Sequence, residues 1–235
     1  HEYISVFAYL DTGRIIHLTN GKDASTITSF GESLNTHNGS LDQIDIFCCD
    51  MSPAFIKGIS ETFPLAAIIF DKFHVMKLVN EALDEVRRLE QALNGFLKNT
   101  RIIWLKNPSS LTKNQLKQLG SLKDMNLKTV RAYNLKLSLQ GLWNMQDIDS
   151  ANAYFKKWYF WATHSRIYPM VKVAQTLKNH WEGIITYFSK RYTNGLLEGL
   201  NSLIQALKRN ARGYRNDENF MTMTYVRHGQ LKFDL

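Results

Sequence analysis

Asp50 and Asp71 each end an apolar run, in "IDIFCCD" and "AAIIFD", and His74 follows Asp71 by one helical turn. Glu198 stands in "NGLLEGLNSL", with Leu196, Leu197, Leu200, Leu203 and Ile204 around it. A carboxylate among apolar neighbours needs a cation or a metal as partner. Oxygen donors alone suit Mg²⁺ or Mn²⁺ rather than zinc, and Cys48, Cys49 and the scattered histidines show no zinc spacing. Two divalent ions held by clustered carboxylates catalyse in-line displacement at phosphorus. Such a pair activates a water or a 3′-hydroxyl and stabilises the leaving oxygen. The competing reading for Asp50 is helix capping, but Ser52 directly before Pro53 fills that role and leaves Asp50 free. Asp71 has a similar alternative, as the cap of a helix that begins near His74.

These acids must be held by a small α/β framework. "YISVFAYL" and "RIIHLT" read as strands joined by the turn "DTG", and "DASTITSFGESL" as a helix with Ile27, Phe30 and Leu34 on one stripe. "IDIFCCD", "SPAFIKGISETFP" and "AAIIFD" follow as strand, helix and strand, the pattern of a right-handed parallel crossover. Both strands of a crossover run the same way, so Asp50 and Asp71 belong to one sheet edge. That carboxyl-terminal edge is where open α/β sheets bind ligands. From His74 to about residue 190 no strand pattern occurs. Val79, Leu83, Val86, Leu89 and Leu93 lie near heptad spacing and predict a long amphipathic helix. "DEVRRLE" is suited to intrahelical ion pairs. Trp104, Trp143, Trp158, Trp161 and Trp181 read as helix packing, with one of them a possible stack for a flipped base. The chain closes on a helix, "NGLLEGLNSLIQALKRNARGY", that returns to the sheet.

The 235 residues carry 29 Lys/Arg and 21 Asp/Glu, a formal charge of +8. Between Lys98 and Lys136 stand nine cations (Lys117, Lys123 and Lys128 among them) against Asp124 alone, and removing that segment leaves 20 bases and 20 acids. Charge so concentrated predicts a polyanionic partner; a solvated lysine-rich surface is the alternative. A second cluster, Lys208, Arg209, Arg212 and Arg215, follows Glu198 and is expected on phosphates flanking a scissile bond. Complementing the helix dipole explains one or two of those four cations. No apolar run approaches the ~20 residues of a membrane span, and no signal pattern opens the chain. The adjacent Cys48 and Cys49 cannot form an ordinary disulfide, which fits a reducing, cytoplasmic setting.

"CCDMSPAFIKGISETFPLAAIIFDKFHVMKLVNEALDEVRR" and, far downstream, "TNGLLEGLNSLIQALKRNARGYRNDENF" resemble the DDE transposases of the ISL3 insertion-sequence family. The resemblance implies an α/β fold: a ribonuclease-H-like mixed sheet interrupted by a long all-α insertion before the last catalytic helix. The expected parts are residues 1–78 for the first part of the core, 79–190 for the basic helical insertion, and 191–235 for the closing helix and basic tail. Asp50 matches the second catalytic acid and Glu198 the third, both as ligands of two Mg²⁺ or Mn²⁺ ions. Asp71 and His74 match a D-x-x-H signature that supports the site. The implied partner is double-stranded DNA, transposon ends and target, bound by a homodimer or larger assembly on the bacterial nucleoid.

One departure stands out. The first acid of such a triad lies on the core's first strand, upstream of the hairpin, and this sequence opens at "HEYISVFAYLD". Glu2 precedes the wrong strand and Asp11 belongs to a turn. The first catalytic Asp is therefore expected to be absent, as are the zinc-binding and helix-turn-helix segments such transposases carry. Two function classes follow: a metal-dependent DNA strand-transferase, or a transposase-derived DNA-binding or oligomerising domain without chemistry. A third, an unrelated α/β phosphohydrolase, leaves the basic helical segment unexplained.

Overall fold

The alternating residues of Ile4–Ala8 (β1) and Ile15–Asn20 (β2) pair antiparallel, as their period of two requires. The connecting turn closes by Tyr9 N–H donating to the Arg14 carbonyl at 2.8 Å, with Gly13 at φ 70°. A bulge opposite Phe7 and Ala8 inserts one extra residue, which lets Ile15 and Leu18 bury in the same cluster. Asp23 caps α1 (Ala24–Thr36) by accepting from the Ser25 N–H at 2.9 Å. Then come β3 (Ile46–Cys49), α2 (Pro53–Thr62) and β4 (Ala67–Phe70), the two strands parallel with Cys49 opposite Phe70. Helix α1 packs directly on α2. A Cβ on Gly58 would meet the Ala24 carbonyl oxygen at 2.9 Å, so only glycine permits this approach. The computed structural model describes residues 3–190 and 195–230, without the side chains of residues 196–198.

The runs ending in the two aspartates are less buried than their composition predicts. Ile69 and Phe70 are buried, but Ala67 is exposed and all four residues of β3 are half-buried. The reason is topological. Among the described residues the strands form two separate two-stranded sheets, so β1 and β3 each keep an edge paired to no other strand.

Lys72 opens a second compact unit, Lys72–Arg191; the first joins His1–Asp71 to Tyr192–Leu235. The second is helical: α3 (Lys72–Gln91), α4 (Arg101–Leu105), α5 (Lys113–Lys123), α6 (Lys128–Gln140), α7 (Ile148–Thr163), α8 (Tyr168–Asn179) and α9 (Trp181–Lys190). Val75, Val79, Leu83 and Val86 of α3 are buried, and α3 packs against α4, α6 and α8. The heptad stripe does not continue. Leu89, in the last turn of the helix, and Leu93, beyond its end at Gln91, are both exposed. Asp84 pairs with Arg87 at 2.8 Å and Arg88 at 3.7 Å along the helix, as the sequence predicts, and also with Arg101 at 3.2 Å. Glu90 reaches further: its carboxylate accepts the Lys128 and Thr129 N–H groups at 2.8 Å each and so caps α6.

The first unit is completed by α10 (Gly195–Asn210) and by α11 (Asp217–His228), a helix the sequence reading did not anticipate. Ile4, Val6 and Ala8 of β1 pack with Leu200, Ile204 and Phe220, whereas Phe7 packs on the α1/α2 side with Phe30. The hairpin is thus covered on both faces. Tyr225 of α11 accepts the outward Leu18 N–H at 2.8 Å, which protects the outer edge of β2. No helix among the described residues is long and apolar enough to cross a membrane.

Candidate active site

Asp50 and Asp71 directly follow the paired ends Cys49 and Phe70, so both acids lie at one edge of the parallel pair, as the crossover requires. Their fields are felt nearby: burial first, then Asp71 for Cys48 and Asp50 for Cys49, push the two thiols up to about 12. Such thiols stay protonated and unreactive. Asp71 is itself buried. The expectation that Ser52 leaves Asp50 free is corrected. Ser52 stands at the N-cap of α2 without a side-chain capping bond, and Asp50 instead accepts the Ser52 N–H at 3.0 Å. The backbone of an Asp-x-Ser-Pro turn lies within reach of the Asp side chain, and a serine hydroxyl does not displace it. One carboxylate oxygen of Asp50 is therefore engaged, which orients the group.

Asp50 opens onto a cleft of about 620 Å³ within the first unit. One wall is the run Tyr3–Asp11, the other the run 43–50, and Ile27, Phe30 and Ile59 form its floor. Both unpaired strand edges therefore face the same space. Asn201, on α10, also lines it. Sequence reasoning missed Asn201, although its spacing of three from Glu198 was there to be read. Glu198 falls within α10, but its side chain lies outside the described residues, as does Glu2. Asp71 ends the first unit and His74 belongs to the second, in the first turn of α3. The donor chemistry at this edge, carboxylate oxygen, fits a hard divalent cation. The number falls short: among the described residues no three His, Cys, Asp or Glu side chains come together.

The transposase family DDE_Tnp_ISL3 matches residues 1–224, nearly the whole chain. This chain belongs to the ISL3 transposase family. It is 29% identical over 228 residues to the transposase for insertion sequence element IS1001 of Bordetella parapertussis, covering 94% of this chain and 56% of the relative. To the transposase for insertion sequence element IS1557 of Mycobacterium tuberculosis it is 26% identical over 256 aligned residues, covering 96% of this chain and 56% of the relative. The chain spans about half the length of the curated relatives it matches. No solved structure matches.

The cations expected in this ISL3 transposase chain divide sharply by environment. Lys117, Lys123 and Lys128 are exposed on or beside α5 and at the start of α6. Lys136, counted in the same basic run, is not available to a partner. It is buried, and its ammonium donates to the carbonyls of Trp104 at 3.0 Å and Leu105 at 2.6 Å, the end of α4. Burial pulls its pKa down to about 8. Lys208 and Arg209 end α10, and all four cations of the "KRNARGYR" cluster are exposed. Arg212 adopts φ 54°, with its N–H bonded to the Arg209 carbonyl and the Gly213 N–H bonded to the Lys208 carbonyl. This is a Schellman close with arginine where glycine is usual.

Proposed function

We propose that this chain carries the catalytic part of an insertion-sequence transposase, a metal-dependent DNA cleavage and strand-transfer activity of the DDE type. One observation carries the reading: Asp50 and Asn201 line the same cleft, and Glu198 precedes Asn201 by three residues on α10. Helix α10, in whose sequence Glu198 stands, therefore borders the cleft that Asp50 lines. The fold proposed is ribonuclease-H-like. An extended segment in the cleft would hydrogen-bond to the open edges of both β1 and β3, joining the two sheets into one mixed sheet with the helical unit as an insertion. A carboxylate on such a segment, near Asp50, would complete a three-acid set.

Asp50 and Glu198 are the proposed ligands of two Mg²⁺ or Mn²⁺ ions, which when bound would polarise the scissile phosphate and acidify the attacking hydroxyl. The Ser52 N–H holds one Asp50 oxygen in place, and Asp50 lines the cleft. Asp71 and His74 are assigned a supporting role. Lys208, Arg209, Arg212 and Arg215 lie after Glu198 on the same stretch of chain and would hold phosphates beside the scissile bond. Lys117, Lys123 and Lys128 would hold duplex DNA.

Calorimetric titration with Mn²⁺ tests this directly. The chain is expected to bind Mn²⁺, and Asp50→Asn and Glu198→Gln are each expected to abolish binding while leaving duplex affinity within about twofold. Mn²⁺ binding that survives both substitutions would overturn the assignment. DNA binding without any Mn²⁺ binding would make the chain a DNA-binding or oligomerising module instead.

A further inference from the structure

The helical unit exposes a group of aromatic side chains that the proposed active site does not use. Phe160 is 64% exposed, Trp161 45% and Tyr168 75%, three large rings within nine residues. Soluble surfaces expose such residues singly, and a contiguous group marks an interaction site. The exposed positions Lys156, Lys157, Phe160 and Trp161 on α7, and His164 at its C-cap, are spaced one, three, one and three apart. At about 100° per residue they span one arc of about 140°. The imidazole of His164 stacks on Phe160 with centroids 4.0 Å apart. Arg131 donates to the Ser165 carbonyl at 3.4 Å, which brings its exposed guanidinium to the turn that follows the aromatic pair.

Charge selects the occupant. Between Asp149 and Glu182 the sequence has five Lys/Arg and no acid. A second copy of this face would oppose cation to cation, so self-association is disfavoured. A polyanion that also presents flat π-surfaces meets both features. In duplex DNA the base faces are covered by their neighbours, so only unpaired bases offer them. We infer that the outer face of α7 and the turn after it bind an unpaired DNA strand, with bases stacked on Phe160 and Trp161 and phosphates on Lys157 and Arg131. Tyr168, at the start of α8, extends the platform. The inference rests on the DNA-transposase reading above and adds the strand form that this unit grips.

The test is fluorescence anisotropy with a labelled oligo(dT) of about 20 nucleotides and a labelled duplex of equal length, on the whole chain and its variants. Trp161→Ala is expected to weaken oligo(dT) binding by roughly 5- to 150-fold, with duplex affinity within about twofold of the parent. Trp161→Phe should keep most of the affinity, since any aromatic ring can stack. Tyr168→Ala, at the most exposed ring, gives the same readout should Trp161→Ala fail to fold. Parent-like oligo(dT) binding by the alanine variants, with duplex binding intact, would overturn the platform and leave the DNA reading standing. Equal loss on both DNAs would overturn it too, by making the face a general contact. A parent that binds neither DNA would sink both readings. A parent dimer that Trp161→Ala dissociates would assign the face to a contact between copies.

Discussion

At the scale of single residues, the same residue type does opposite work in two environments. Lys117 and Lys136 belong to one basic run, yet the first is exposed and the second is sealed against the carbonyls that end α4. For Lys136 the folded pKa, about 8, lies below the unfolded value of 10.5. Between those values the unfolded chain binds more protons, so this residue's contribution to stability grows as pH rises through the window. The buried thiols of Cys48 and Cys49 act in the other direction: with folded pKa values of about 12 against 9.0, their contribution is lost as pH climbs above 9. The difference between parent and Lys136→Met isolates the lysine. Urea unfolding should show the parent gaining about 2 kcal/mol over the variant between about pH 8 and pH 10. A pH-independent difference would mean that folding leaves the pKa of Lys136 unchanged.

At the scale of elements, the close of α10 carries a structural cost at a position proposed to contact DNA. Arginine in the left-handed region at a helix end is disfavoured relative to glycine by about 1 kcal/mol, and Arg212 occupies that conformation at φ 54°. Strain of this kind persists where something else requires the side chain. Arg212→Gly should therefore raise the unfolding free energy by about 0.5–1 kcal/mol, while lowering duplex affinity in anisotropy. Raised stability with unchanged affinity would remove Arg212 from the DNA contacts. The contrast with α2 is useful, since Gly58 there is required by the close approach of Ala24 and no charged residue fits.

At the scale of the whole molecule, charge follows the division into units. Residues 72–191 hold 20 Lys/Arg and 8 Asp/Glu, a net +12; subtraction from 29 and 21 leaves 9 bases and 13 acids in the remainder, a net −4. The unit with the candidate acids is therefore the acidic one, and the helical unit carries the positive excess. Reversing Lys117, Lys123 and Lys128 to Glu should weaken duplex binding and flatten the plot of log affinity against log salt by about 2 to 3 units. Unchanged slope would reduce these lysines to a solvated surface.

Much of this was legible in the sequence because it is local. Period-two alternation set the hairpin, an apolar run with a helix and a second apolar run set the parallel crossover, and the two runs put Asp50 and Asp71 at one edge. The ion pairs of Asp84 with Arg87 and Arg88 followed from helical spacing. Family membership was carried by two blocks of residues and is matched over residues 1–224. Tertiary structure alone decided what depends on distant partners. Trp158 is buried and Trp161 exposed on one helix, a choice made by the helices that α7 meets. Glu90 caps a helix that starts 38 residues later. The cleft between β1 and β3 exists because two strands far apart in the chain both turn an open edge to the same space, and no local pattern records where a strand's second edge will face.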